Sequence, residues 1–315
     1  MKKKETCEKT GTKAKVPARV KMMRKMWAMS DAKRDAGLIE PEDVEKSWDI
    51  SYGPYGEENL LDVYRPAKEA GKVLPVIVNV HGGGYFYGDK ELYRFYAMRL
   101  AQFGFAVVNF NYRLAPLNRF PAPLEDTLAV FKWISANARK YKLDKTNVFM
   151  VGDSAGAQLV SQFAAIWTNK AYAKLFGFTL PRGVNLRGIS LACGLYELRS
   201  KITGPQNEMM LDYFGDVSMA QDLRTEVHAY ITGDYPPTYI FSAANDSLKE
   251  ECRPFAAFLR KKGISVQSRI YGKKEDAEVG HVFHVNIRLP IAERCNKDQT
   301  NFFKRLVCVN GDGSN

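Results

Sequence analysis

Strand-like runs recur along the chain near residues 46–52, 59–64, 74–80, 105–111, 147–151, 187–192, 237–243 and 265–271. The central ones are apolar almost throughout, as in Leu74-Pro75-Val76-Ile77-Val78-Asn79-Val80 and Asn147-Val148-Phe149-Met150-Val151. A strand that is apolar on both faces is covered on both faces, which is how parallel sheets sit between layers of helices. Those helices are supplied by the stretches at 91–103, 122–140, 155–169, 247–262 and 288–306. Strands alternating with helices predict an α/β fold on a mostly parallel, eight-stranded sheet.

Two segments interrupt this rhythm. From Pro17 to about Ala36, the residues Val20, Met23, Met26 and Trp27 recur at helical spacing and give one apolar face. That face needs a surface to cover, and the positive charges of the segment are expected on the opposite side, in water. Between the strand ending near Ala192 and the one starting at Pro237 lie about 45 residues, long for a plain crossover. The segments at about 17–45 and 195–235 therefore read as cap elements of a single domain spanning 17–315. Residues 1–16 are polar, lysine-rich and without apolar periodicity, and read as a disordered basic tail.

Composition narrows the class. At 315 residues with 45% hydrophobic content, the chain can bury a large core. It has no run of about 18 apolar residues to span a bilayer, so no stable membrane insertion is expected. Met1-Lys2-Lys3-Lys4 resembles the basic start of a signal peptide, but Lys21, Arg24 and Lys25 break the apolar stretch that would have to follow. Cys7, Cys193, Cys252, Cys295 and Cys308 are dispersed without C-x-x-C spacing. This fits reduced thiols in a cytoplasmic protein better than a disulfide framework or a zinc site. Of the net charge of +11, residues 1–36 carry +8, from 12 Lys/Arg against 4 Asp/Glu. The rest is nearly balanced and has no nucleic-acid-binding signature, so no nucleic-acid partner is expected. A short basic segment is ordinarily solvated; a helix lying on a membrane surface is the alternative reading of 17–36.

The chemistry sits in two motifs. Gly152-Asp153-Ser154-Ala155-Gly156 directly follows the run at 147–151 and opens the stretch at 155–169. A G-x-S-x-G between strand and helix is a nucleophile elbow, a turn so sharp that small residues must flank the serine. Earlier, His81-Gly82-Gly83-Gly84 follows the run at 74–80. Glycines there let backbone N–H groups turn inward and meet an oxyanion. Two such motifs in this order indicate a serine-hydrolase site. In this architecture the acid and then the histidine follow the serine. Asp246 ends the strand-like run Pro237–Ala243, whereas Asp234 lies at its wrong end, and Asp276 and Glu278 share the histidine's own loop. Of the four histidines, His81 belongs to the glycine loop and His228 precedes the last two strands, leaving His281 and His284.

These motifs resemble the hormone-sensitive-lipase group of α/β-hydrolases, an esterase and lipase family marked by H-G-G-G and G-D-S-A-G. The resemblance runs from about residue 40 to 306, through Tyr112-Arg113-Leu114-Ala115-Pro116, Phe120-Pro121-Ala122-Pro123-Leu124-Glu125-Asp126 and Asn245-Asp246-Ser247-Leu248. It implies an α/β-hydrolase fold with a helical cap made of the two segments above. It implies Ser154 as nucleophile, Asp246 as acid and, from the family's H-x-F-H pattern, His281 rather than His284 as base. The backbone N–H groups of Gly83, Gly84 and Ala155 are the implied oxyanion hole. His81 is expected to brace the glycine loop through its ring nitrogens, and neither a cofactor nor a metal is implied. Val282 and Ala157 stand where the family often has glycine.

Tyr85 and Phe86 beside the glycine loop, with Met210 and Phe214 in the cap, are expected to line an apolar substrate pocket, together with Tyr87, Met209 and Tyr213. The implied function is hydrolysis of short-acyl carboxylic esters, small molecules, through an acyl-enzyme. Deacetylation of a carbohydrate or natural product is the alternative. The gibberellin receptor shows that the fold also hosts non-catalytic binding proteins, but this chain keeps serine, acid and histidine. Assembly as a homodimer is left open.

Overall fold

The computed structural model describes residues 16–205 and 207–308, so the tail expected at 1–16 lies, Val16 apart, outside the described residues. Eight strands form one sheet: β1 (Val44–Ser51), β2 (Leu60–Pro66), β3 (Leu74–Val80), β4 (Ala106–Phe110), β5 (Leu143–Asp153), β6 (Leu186–Ala192), β7 (Thr238–Ala243) and β8 (Val266–Tyr271). Their order is β1-β2-β4-β3-β5-β6-β7-β8. β2 runs antiparallel to both β1 and β4, and every later pairing is parallel. The helices are α1 (Ala18–Asp35), α2 (Arg94–Gln102), α3 (Ala122–Asn137), α4 (Ala155–Thr168), α5 (Lys170–Leu175), α6 (Leu198–Thr203), α7 (Glu208–Phe214), α8 (Val227–Tyr230), α9 (Lys249–Lys261) and α10 (Pro290–Lys304).

The apolar runs form central strands because both of their faces are used. Val76, Val78 and Val80 of β3 join Phe131 of α3 and Phe163 of α4 in one core. Ile77, pointing the other way, joins Phe149, Tyr96 of α2 and Phe303 of α10 in a second core. Register carries the motifs together: Val80 pairs with Gly152 and Asp153 with Ala192, so the glycine loop and the elbow leave adjacent strand ends.

The long excursion between β6 and β7 contains α6, α7 and α8. α1 reaches this region, because Arg19 pairs with Asp212 at 2.8 Å and Glu208 at 2.9 Å. Here the expected division of α1 into an apolar inner and a charged outer face is corrected. Val20 is buried and Met23 and Trp27 pack on the core, but Met26 is 59% exposed. With about 3.6 residues per turn, the inward positions are 20, 23/24, 27, 31 and 34, and Met26 falls off that line. Two of those inward positions hold arginine. Arg24 donates from Nε to the Phe86 carbonyl at 2.6 Å and from Nη2 to the Ala115 carbonyl at 3.1 Å. Arg34 donates to Asp31 at 2.9 Å and to the Leu92 carbonyl at 2.8 Å. An arginine can turn inward when every donor finds an acceptor.

Among the described residues, no helix is long and apolar enough to cross a membrane. Cys193, Cys252 and Cys295 are buried free thiols, and Cys308 is an exposed one.

Candidate active site

β5 ends at Asp153 and α4 begins at Ala155, leaving Ser154 alone to make the turn, with φ +51° and ψ −119°. Positive φ at a non-glycine residue costs about 1–3 kcal/mol and persists only where the surroundings enforce it. The flanking glycines allow that enforcement. A Cβ at Gly152 would lie 2.5 Å from the Gly156 carbonyl oxygen, and one at Gly156 would lie 2.1 Å from that of Val80. The result is a serine hydroxyl at the N-terminus of a helix buried along nearly its whole length.

His281 and Asp246 are brought in from the loops after β8 and β7. The Nε2 of His281 is 3.0 Å from Ser154 Oγ, and its Nδ1 is 2.8 Å from Asp246 Oδ1. Asp246 is itself fixed: Ser242 Oγ donates to its Oδ2 at 2.5 Å and the Leu248 N–H to its Oδ1 at 2.9 Å. Burial alone would raise this carboxyl, but hydrogen bonds from His281, Ser242 and Leu248 outweigh it and bring its pKa down to about 2. Burial disfavours a charged His281; the hydrogen bond and charge of Asp246 overcome this and leave its pKa above the ordinary 6.5. A hydroxyl, an imidazole and a carboxylate in this line can pass a proton from Oγ to Nε2 while the carboxylate steadies the cation.

The glycine loop lies alongside. Gly83 and Gly84 have φ of +111° and +59°, and a Cβ on Gly83 would meet the Tyr87 carbonyl oxygen at 2.0 Å. Among the described residues, no hydrogen-bond acceptor meets the N–H groups of Gly83, Gly84 or Ala155, and all three residues line the same cavity as Ser154. The loop is braced from behind. Tyr112 stacks on His81 with ring centroids 4.0 Å apart and donates its hydroxyl to the His81 carbonyl at 2.8 Å. Arg113, next in the chain, is held by Asp126 at 3.0 Å and Glu125 at 2.7 Å. The Gly82 N–H donates to Tyr93 Oη at 3.0 Å, and that hydroxyl donates to Asp153 Oδ2 at 2.8 Å, tying the loop to the elbow.

His81 braces the loop with one ring nitrogen rather than both. Its Nδ1 lies 2.7 Å from the Gly82 carbonyl oxygen, while no partner meets Nε2 among the described residues. Burial pushes its pKa down to about 4, so the ring is neutral and Nδ1 carries the donated hydrogen. His284 is a core imidazole. It packs edge-on against Tyr96 and Phe241, each 5.2 Å away, and burial pushes its pKa down to about 3. Val282, between these two histidines, has φ +61°, a backbone that glycine adopts freely and a β-branched residue resists.

The cleft above Ser154 has a volume of about 610 Å³. Of the seven residues expected to line it, Tyr85, Tyr87 and Met209 do so, Tyr85 with its ring stacked on Tyr213 at 4.0 Å and its hydroxyl 3.1 Å from Gln158. The other four, Tyr213 among them, do not. Phe86 is fully buried and stacks on Trp27 at 5.1 Å. Met210 and Phe214 belong to the core, Phe214 against Phe120 at 5.1 Å. On α7 it is Met209 that faces the cleft, and the next residue, about 100° round the helix, is turned into the protein. Trp27, Leu195 and Leu248 also line the cleft. Trp27 carried a signal in the stripe of α1; Leu195 and Leu248 lie in connections whose path no periodicity reveals. Among the described residues, Cys193, Asp246 and His281 form the one group of potential metal ligands, and two of them are engaged with each other.

A family described as alpha/beta hydrolase fold matches residues 77–285, a span holding the glycine loop, the elbow, Asp246 and His281. The chain is 28% identical over 237 residues to the probable carboxylic ester hydrolase LipM of Mycobacterium tuberculosis, covering 71% of this chain and 54% of that protein. It thus spans about half the length of that relative. It is 27% identical over 266 residues to the acetyl esterase of Salmonella choleraesuis, covering 79% and 77% of the two chains. Among solved structures, esterase B of Lactobacillus rhamnosis superposes with a TM-score of 0.81 at 26% identity, over 92% of this chain and 96% of the other.

Proposed function

The chain belongs to the alpha/beta-hydrolase fold family, in its hormone-sensitive-lipase-like branch, and on that footing we propose that it is a serine carboxylesterase acting on short-acyl esters. The observation that carries the reading is the continuous line from Ser154 through His281 to Asp246, at 3.0 and 2.8 Å, beside unpaired N–H groups. Resemblance to an acetyl esterase supports a small acyl group, and a cleft of about 610 Å³ suits a small ester.

In the first half-reaction Ser154 Oγ attacks the ester carbonyl carbon and gives its proton to His281 Nε2. The carbonyl oxygen becomes an oxyanion, received by the N–H groups of Gly83, Gly84 and Ala155, each contributing about 3 kcal/mol. His281 passes its proton to the departing alcohol oxygen as the ester C–O bond breaks, leaving acyl-Ser154. In the second half, water gives a proton to His281 and its oxygen attacks the acyl carbon. The proton returns to Ser154 Oγ as the acid is released. α1 and the helices between β6 and β7 act as a cap over these steps.

Two measurements test this reading. A fluorophosphonate probe should label the protein at Ser154, and p-nitrophenyl esters from acetate to octanoate should be cleaved fastest at the short end. Absence of labelling would favour a non-catalytic binding protein.

A further inference from the structure

The cleft has two chemically different ends, and α1 spans both. Its N-terminal half is tied to α7 through Arg19, and there the lining is apolar, with Trp27, Leu195 and Met209. A Cβ placed on Gly84 would lie 2.9 Å from Met209 Sδ, so this wall stands directly over the glycine loop. The C-terminal half of α1 is tied elsewhere. The Arg288 guanidinium donates to the carbonyls of Arg34 and Ala36, which presses this half against the loop that carries His281. This end adds polar groups, Ser30, Asp31 and Arg34 from α1 with Glu278 and Asn286 from the histidine loop, to the apolar Val282 and Phe283 of that loop.

Reaction geometry assigns the two ends. The leaving oxygen must accept its proton from His281, so the alcohol part of the ester lies on the histidine side. We infer that the polar end of the cleft is a subsite for a neutral, hydroxyl-bearing alcohol, such as a partly acetylated sugar or polyol, with the short acyl group toward Met209. This rests on the carboxylesterase reading above and names its substrate class. Asp31 is preset as an acceptor, fixed by the Tyr87 hydroxyl at 2.6 Å and by Arg34 at 2.9 Å. Arg34 is shared between Asp31 and Asp35, the latter at 2.6 Å, and Arg288 adds a second guanidinium, so with Glu278 three carboxylates stand against two cations. An anionic alcohol, such as a sugar phosphate, is repelled by that balance. A plain alkyl alcohol leaves these polar groups without partners, at a cost in binding.

The test compares full-length protein on a monoacetylated methyl glycoside and on butyl acetate, which share an acyl group. The expected kcat/KM ratio favours the glycoside by at least about tenfold, the size of one hydrogen bond to a charged group. Asp31→Asn and, separately, Glu278→Gln should lower that ratio about tenfold, mainly through KM for the glycoside. Glu278 lies in an exposed position outside the α1 docking contacts, so its variant guards against loss of folding. Met22→Ser, on the outer face of α1, should leave the ratio unchanged. Preference for butyl acetate, or an equal fall on both esters in both subsite variants, overturns the subsite while ester hydrolysis stands. Failure to cleave either ester, with no fluorophosphonate labelling, overturns the carboxylesterase reading and the subsite with it.

Discussion

Arg24 and Phe86 are joined by a 2.6 Å hydrogen bond from a side chain on α1 to a backbone carbonyl two residues past the glycine loop. The helix that lines one wall of the cleft is thereby fastened to the turn beside the glycine loop. The same guanidinium reaches the Ala115 carbonyl, so one side chain serves two acceptors.

Replacing Arg24 by Met keeps the aliphatic stem and removes both donors. The two carbonyls then lose a charged partner, and we expect a loss of about 2 kcal/mol in urea denaturation. Because this wall of the cleft loosens while Ser154, His281 and Asp246 stay in place, KM should rise several-fold with a smaller change in kcat. A fall in kcat alone would mean that Arg24 acts on the glycine loop instead.

Ser154→Ala should reduce ester hydrolysis by several orders of magnitude without unfolding the protein. Ser154→Gly should be equally inactive but more stable than the alanine variant by about 1 kcal/mol, since glycine accepts φ +51° without strain. Thermal melts of the two variants check this, and equal midpoints would refute the strain argument.

His281→Ala should match the serine variant in activity. His284→Ala should behave differently, because its ring fills a core site against Tyr96 and Phe241. It should lower the melting temperature while each folded molecule keeps most of its rate. Rates normalised by active-site titration separate the two cases, and an inactive but fully folded His284→Ala would shift the base by three residues.

Acid should inactivate the protein through His281, which works as a base only when neutral. With its pKa held above 6.5, the acid limb of kcat/KM should lie above pH 6.5. Asp246→Asn removes what raises it, so that limb should move to lower pH as the maximum falls. Stability runs in the opposite sense. The raised His281 pKa contributes stability that is present below 6.5 and lost as pH climbs through the folded value. The Asp246 carboxylate contributes above its ordinary 3.8 and loses its effect as pH falls toward about 2. A pH–rate profile read beside pH-dependent melts tests both signs.

The sheet was legible because its strands are apolar on both faces; the expected β3 run, Leu74–Val80, coincides with the strand. Chain order and four histidines narrow the set to Ser154, Asp246 and either His281 or His284; the family resemblance picks His281, and the fold brings that trio together. What failed was direction within a helix. Met210 and Met209 differ by one residue and by about 100°, and composition does not tell which one meets the cleft. On α1 the assumption that charge faces water failed at Arg24 and Arg34, which reach backbone carbonyls at Phe86, Ala115 and Leu92, all remote in sequence. The brace of Tyr112 on His81 is of the same kind, since a stacked pair 31 positions apart leaves no local mark.

The helix bearing Ser30, Asp31 and Arg34 stands outside the sheet, on a length of chain that precedes the first strand. For an evolving lineage this separates two kinds of change. Under the proposed alcohol subsite, mutations in that helix retune which alcohol is accepted without touching the strained turn at Ser154 or the registers that hold it. Selectivity for the alcohol and the machinery of acyl transfer would then reside on separate parts of the chain.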